Sequence, residues 1–197
     1  MEGVGLNGLV LGSSEKRFVQ KKQPGSRSWT SFIEAISATG AKTTPLVIYK
    51  GKSVQQQWFP ADITSFSSWH FTATENGWTT DKTALEWLEK VFIPQTDPGD
   101  NSARLLILDG HGSHETTEFM FKCLEFNIYL LFLPAHSSHV LQPLDLSIFS
   151  PLKASYRKEL NLLGSLLDSA PIGKRNFLLC YYRARETAIT APNIQAR

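Results

Sequence analysis

Two aspartates stand where an acid could do metal chemistry. Asp109 follows the apolar run Leu105-Leu106-Ile107-Leu108 and precedes Gly110. Asp145 follows Gln142-Pro143-Leu144 and precedes the apolar Leu146, Ile148 and Phe149. A carboxylate directly after a strand is fixed by the sheet yet can face solvent, and ligands of open α/β sheets bind at the carboxyl ends of strands. Two such carboxylates brought together by folding could share Mg2+, which prefers carboxylate and phosphate oxygens and keeps positions open for substrate. Paired ions about 4 Å apart activate an attacking oxygen and stabilise a leaving one in phosphodiester cleavage. Plainer readings stand beside these: Asp-Gly is a common turn pair, and an aspartate ahead of an apolar helical stretch is a common N-cap. Two acids do not easily hold two ions, so a third is expected from an earlier strand.

Four of the five histidines cluster near these acids, as His111 with His114 and His136 with His139. The two His-x-x-His pairs fall on loops that leave successive strands. Zinc is the rival reading. Neither pair has the helical spacing of His-Glu-x-x-His, and no cysteine joins them. Imidazoles beside an acidic site can instead hydrogen-bond carboxylates or phosphates. Downstream, Lys153, Arg157, Lys158, Lys174 and Arg175 are cations suited to phosphates. Two other patterns carry no weight. Gly3-Val4-Gly5-Leu6-Asn7-Gly8 spells a dinucleotide fingerprint with no strand before it. Gly110 to His114 resembles a nucleophile elbow but lacks the second glycine after Ser113.

The elements that must position these residues read as follows. Trp29 to Ala38 and Pro45 to Tyr49 are β-rich runs with a short polar connection, the pattern of an antiparallel hairpin. Residues 53–79 have weak periodicity and read as loops with short extended pieces, with Asn76-Gly77 as a turn. A helix is expected from Thr80-Asp81 through Phe92, stopped by Pro94. Leu105 to Leu108 reads as a strand buried on both faces. A helix over Glu115 to Phe126 and a strand over Ile128 to Leu133 complete a βαβ unit. Helices follow at about Leu146–Leu167, with Pro151 near the first turn, and at Lys174–Thr187. A hairpin feeding a βαβ unit with helices after it gives an α/β fold with a mixed sheet.

Composition agrees with a globular chain of ordinary domain size: 197 residues, 42% hydrophobic and 19% charged. Cys123 and Cys180, the two cysteines, are far apart, which argues against a disulfide framework and for a reducing compartment. The strongly apolar stretch Ile128–Leu133 is far short of the ~20 residues a bilayer span needs. Charge is uneven. Residues 1–29 carry +3 and residues 151–197 carry +5, so the middle carries −6. An acidic centre between basic ends suits a cation site flanked by phosphate-binding surfaces.

These residues resemble a known family. Leu105 through His114 resembles the second-acid motif of DDE-type transposases of the pogo group, relatives of mariner that include Tigger, Jerky and centromere-protein-B-like proteins. Pro134-Ala135-His136-Ser137-Ser138-His139-Val140-Leu141-Gln142-Pro143-Leu144-Asp145 resembles their third-acid motif. The 35 residues between the two acids suit this group. Pro24-Gly25 to Trp29, Glu75-Asn76-Gly77-Trp78 and Pro151-Leu152-Lys153 also fit. The resemblance implies an RNase H-like fold, a mixed sheet with flanking helices, here with the first strand missing or incomplete. It implies a partial nuclease core over residues 1–160 and a helical extension over 161–197. It implies catalytic and metal-binding roles for Asp109 and Asp145 with Mg2+ or Mn2+. With DNA as the partner, the histidines and cations read above, His111, His114, His136, His139, Lys153, Arg157 and Lys158, are the expected nucleic-acid contacts. The partner would be DNA, in the nucleus, with homo-oligomers in the parent family, and with neither a membrane nor a small-molecule substrate.

The family's first acid stands in an Asp-Glu-x-Gly-Phe motif that should immediately precede the segment beginning at Met1, and Glu2 is not in the matching place. The helix-turn-helix region that precedes the family's core is not expected here either. The resulting expectation is a transposase-derived nuclease core that does not cleave DNA by itself. A decayed or domesticated DNA- or protein-binding module and a zinc hydrolase are the alternatives.

Overall fold

The structure, a computed structural model, describes residues 29–109, 116–166 and 173–196. The expected hairpin is present. Strand β1, Thr30–Ile33, pairs antiparallel with β2, Leu46–Lys50, with Ile33 opposite Leu46 and Thr30 opposite Tyr49. Leu46 to Tyr49 are all fully buried. β2 also pairs in parallel with β3, His70–Thr74, a strand inside the stretch expected to be mostly loop. All five residues of β3 are half-buried, and its polar-apolar alternation, His70-Phe71-Thr72-Ala73-Thr74, is only five residues long with Phe71 as its one large apolar side chain.

Helix α1, Asp81–Trp87, opens on a reciprocal cap between Thr80 and Thr83. Such a cap satisfies amide groups that would otherwise lack partners. The helix does not stop at Pro94 as expected. It passes through a π-helical turn, Leu88–Phe92, into a short helix α2, Ile93–Thr96, in which Pro94 occupies the first turn. Proline is tolerated there because first-turn amides have no helical acceptor. β4, Arg104–Leu108, helix α3, Thr117–Glu125, and β5, Ile128–Phe132, form the expected βαβ unit, with β4 and β5 parallel.

β4 differs from expectation in one respect. Leu106 and Leu108 are buried, but Leu105 is 62% and Ile107 44% exposed. The buried pair packs with residues of α1 and α3. Nothing among the described residues covers the opposite face.

The chain then forms α4, Ser138–Leu141, a second π-helical turn, Leu144–Ile148, and α5, Phe149–Leu166. Helices α6, Lys174–Ala188, and α7, Ala191–Gln195, follow. Pro151 lies in the first turn of α5. β2 organises the interior because alternate residues of a strand point to opposite faces. Leu46 and Ile48 meet Trp87, Leu88, Leu106, Leu108 and Phe119 on one side. Val47 and Tyr49 meet Ile148, Leu152, Leu178 and Tyr181 on the other. The result is a mixed α/β fold with two small sheets, β1-β2-β3 and β4-β5, and helices on both faces of β2.

Candidate functional site

Asp109 is half-buried and follows β4 directly. The neighbouring strand stays paired at this level: Leu108 lies opposite Phe132, and the Leu133 amide donates to the Leu108 carbonyl at 2.8 Å. Asp109 and Pro134 therefore leave the sheet side by side. The path from Pro134 is tight. The amide and hydroxyl of Ser137 both donate to the Pro134 carbonyl, at 3.2 and 2.6 Å. His136 sits in the left-handed region, with φ of 61°. Non-glycine residues held this way cost about 1–3 kcal/mol and cluster at functional sites.

Helix α4 carries Ser138 and His139, and the chain turns at Gln142, whose carbonyl accepts the Asp145 amide at 3.0 Å. Asp145 is exposed, as the second residue of the π-helical turn that leads into α5. It is not an N-cap, since that position is held by Pro143. An acid in a first helical turn is favoured by the partial positive charge there. His136, Ser138, His139 and Asp145 line an open groove of about 580 Å³, and Asp109 is not among those lining residues. The motif thus folds into one groove lined by a carboxylate, two imidazoles and a hydroxyl. Ser138 carried no chemical signal in the sequence, and its place on the groove comes from the tight turn ahead of it.

His111 and His114 lie outside the described residues. Lys153, Arg157 and Lys158 are exposed on α5, the helix that Asp145 precedes, and form no ion pair among the described residues. Lys174 is differently employed. Its ammonium lies 3.3 Å from the Trp58 ring centroid and donates to the Lys50 carbonyl at 2.9 Å. Among the described residues no group of three or more His, Cys, Asp or Glu side chains is set to hold a metal ion.

Comparison with known proteins decides the family. The family described as DDE superfamily endonuclease matches residues 26–197. The chain belongs to the DDE superfamily endonucleases. Its relatives support a pogo-type DDE domain. It is 27% identical over 166 residues to the mouse (Mus musculus) Pogo transposable element with KRAB domain, covering 83% of this chain and 26% of that protein. A human (Homo sapiens) protein of the same description is 27% identical over 140 residues, covering 70% of this chain and 22% of that protein. A protein of Cochliobolus lunatus described as MFS-type transporter clz9 is 39% identical over 188 residues, covering 94% of this chain and 20% of that protein. The DDE chain spans a quarter or less of these relatives' lengths, apart from the mouse protein, where it spans slightly more. No described helix is long and apolar enough to cross a membrane. No solved structure matches the chain.

Proposed function

We propose that this DDE chain is part of a transposase-derived nuclease whose parent chemistry is metal-dependent cleavage and transfer of DNA strands, with Asp109 and Asp145 as two of its metal-holding carboxylates. The observation that carries this is the pairing of the strand ends. Asp109 and the segment leading to Asp145 depart from adjacent points of β4 and β5, in a chain that matches the endonuclease family over residues 26–197. An RNase H-like arrangement accounts for the parallel β4-β5 pair and the antiparallel hairpin.

The donor set suits hard divalent cations: exposed carboxylate oxygen on Asp145, half-buried carboxylate on Asp109, and an open groove. Mg2+ or Mn2+, when bound, supplies activation of the attacking oxygen and charge neutralisation at the leaving one. The protein's own part is to orient. The sheet holds Asp109 at a strand end, and the π-helical turn presents Asp145. His136 and His139 offer hydrogen bonds to a phosphate that approaches along the groove. Lys153, Arg157 and Lys158 supply positive charge along the next helix, where a DNA backbone can lie. A nuclear location belongs to the same reading.

Two carboxylates do not hold two ions firmly, and the described residues supply no third. The 197-residue chain incubated alone with supercoiled plasmid and Mn2+ is therefore expected to leave it intact. Nicking that disappears in Asp109→Asn would overturn that expectation and make the chain a competent nuclease. A binding module without catalysis is favoured by the free cations of α5 and predicts salt-dependent DNA binding with no cleavage under any metal. A tightly held zinc in the purified protein would argue instead for a hydrolase built on the histidines.

A further inference from the structure

At one end of the β1-β2-β3 sheet two indoles are stacked. Trp29 and Trp78 have ring centroids 5.1 Å apart and planes 4° from parallel. Trp78 is 52% exposed. With one face of its ring on Trp29, the exposed remainder of the ring is open among the described residues. A large aromatic in solvent is ordinarily mobile, but this ring is stacked on Trp29 and the backbone that carries it is hydrogen-bonded at both amide and carbonyl. The Trp78 amide donates to Asn76 Oδ1 at 3.1 Å, and the Thr74 hydroxyl donates to the Trp78 carbonyl at 3.0 Å. The Ser31 hydroxyl donates to the Gly77 carbonyl at 2.7 Å, while Trp29 Nε1 donates to the same Ser31 oxygen at 3.0 Å. Gly77 has φ of 79°, and a Cβ there would lie 2.9 Å from the Trp29 carbonyl oxygen. The turn and both indoles thus form one preorganised unit.

Positive charge adjoins it. The Lys50 amide donates to the Trp29 carbonyl at 3.0 Å, and a Cβ on Gly77 would lie 3.2 Å from Lys50 Cβ. Lys50 and Lys52 are both exposed, and neither is in an ion pair among the described residues. Glu75 follows Thr74, the partner of Lys50 in β3, and Asp81 opens α1 three residues past Trp78 with Lys82 after it, so the lysines Lys50, Lys52 and Lys82 stand against two acids in this part of the chain. A rigid aromatic face bordered by free ammonium groups matches the two parts of a nucleotide, a planar base and a phosphate. In duplex DNA the base faces are stacked on one another and inaccessible. Single strands offer them, and aromatic platforms beside cations are how sequence-tolerant single-strand binders hold bases.

We propose that the Trp29–Trp78 stack is a binding platform for an unpaired DNA base, with Lys50 and Lys52 on the flanking phosphates. It rests on the reading of DNA as the partner but not on the metal site. It assigns the chain a preference for frayed or single-stranded ends over internal duplex.

The test is binding of a fluorescent single-stranded oligonucleotide and of the matching duplex to the 197-residue chain in EDTA, so that no metal enters the result. The expected outcome is tighter single-strand binding, with indole fluorescence quenched on saturation. Trp78→Ala should weaken single-strand binding about tenfold or more. Trp78→Phe, which keeps a ring, should recover most of it. Lys50→Gln should lower the slope of log affinity against log salt by about 0.7. Because Trp78 is exposed, each variant should melt near the parent temperature, which the same samples check. Single-strand binding unaltered by Trp78→Ala, no single-strand binding at all, or equal losses for duplex and single strand would each overturn the proposal. In a separate assay with Mn2+, a metal response that survives Asp145→Asn while single-strand binding in EDTA is intact would count against the nuclease reading alone.

Discussion

Glu34 follows β1 with its side chain 1% exposed, and its carboxylate is shared by three donors. Arg185 Nε and Nη2 donate to it at 2.8 and 2.9 Å, and the Tyr181 hydroxyl donates to Oε1 at 2.8 Å. Arg185 also donates to the Thr43 carbonyl. Burial opposes the guanidinium's charge, but the hydrogen bonds and charge of Glu34 outweigh it and raise the Arg185 pKa. For Tyr181, burial and the adjacent Glu34 charge both push the phenol well above its ordinary value of 10.0. Below about pH 10 folded and unfolded chains both keep this proton, so it confers no pH dependence. Above that, the unfolded chain releases the proton while the folded chain holds it, and stability must fall as pH rises. Denaturant titrations between pH 9 and 11 should show a loss to which this proton contributes up to about 1.4 kcal/mol per pH unit, added to that of the buried thiols Cys123 and Cys180, which are raised in the same way. Tyr181→Phe should remove the part of that slope due to this residue. The thiols of Cys123 and Cys180 are pushed by burial to about 11, which accords with packing roles.

At the scale of elements, the turn after β3 has the least tolerance for change. Gly77 is buried, left-handed and against the Trp29 carbonyl. Gly77→Ala should cost about 1–2 kcal/mol from backbone conformation alone, with the clash in addition, and should lower the melting temperature. It should also abolish the near-ultraviolet circular dichroism of the indole pair. The Asn76-Gly77 pair was legible in the sequence as a turn, as were the hairpin, the βαβ unit and the late helices, because period and punctuation mark them. β3 was not, since its alternation spans only five residues and carries one large apolar side chain, Phe71. The one-sided burial of β4 was illegible for the opposite reason. Leu105-Leu106-Ile107-Leu108 is apolar throughout, and hydrophobicity alone does not tell which side has a helix on it. Of the candidate site, Asp145 with His136 and His139 was legible as a motif. Their shared groove depends on a left-handed histidine and a π-helical turn, neither of which has a residue signature. The Trp29–Trp78 stack joins residues 49 positions apart, beyond the reach of local pattern.

At the scale of the molecule, the helical layer is unevenly spread. Residues of α5 and α6 close over Val47 and Tyr49 of the three-stranded sheet. On β4 and β5 one face stays bare among the described residues, with Leu105 and Tyr129 each 62% exposed, Ile107 44% and Leu131 47%. Register places Leu105 opposite Tyr129 and Ile107 opposite Leu131, so the four form one contiguous apolar tile. Such a surface on a lone domain is adhesive. Handling of the isolated chain will be governed by this tile more than by its net charge of +2. Light scattering should climb with concentration and with added sulfate, which strengthens apolar association. Replacing Leu105 and Tyr129 together by lysine should suppress that climb while leaving the melting temperature nearly unmoved. A preparation that clouds during concentration would then be reporting self-adhesion of correctly folded molecules, and the remedy would be two surface lysines rather than a refolding protocol.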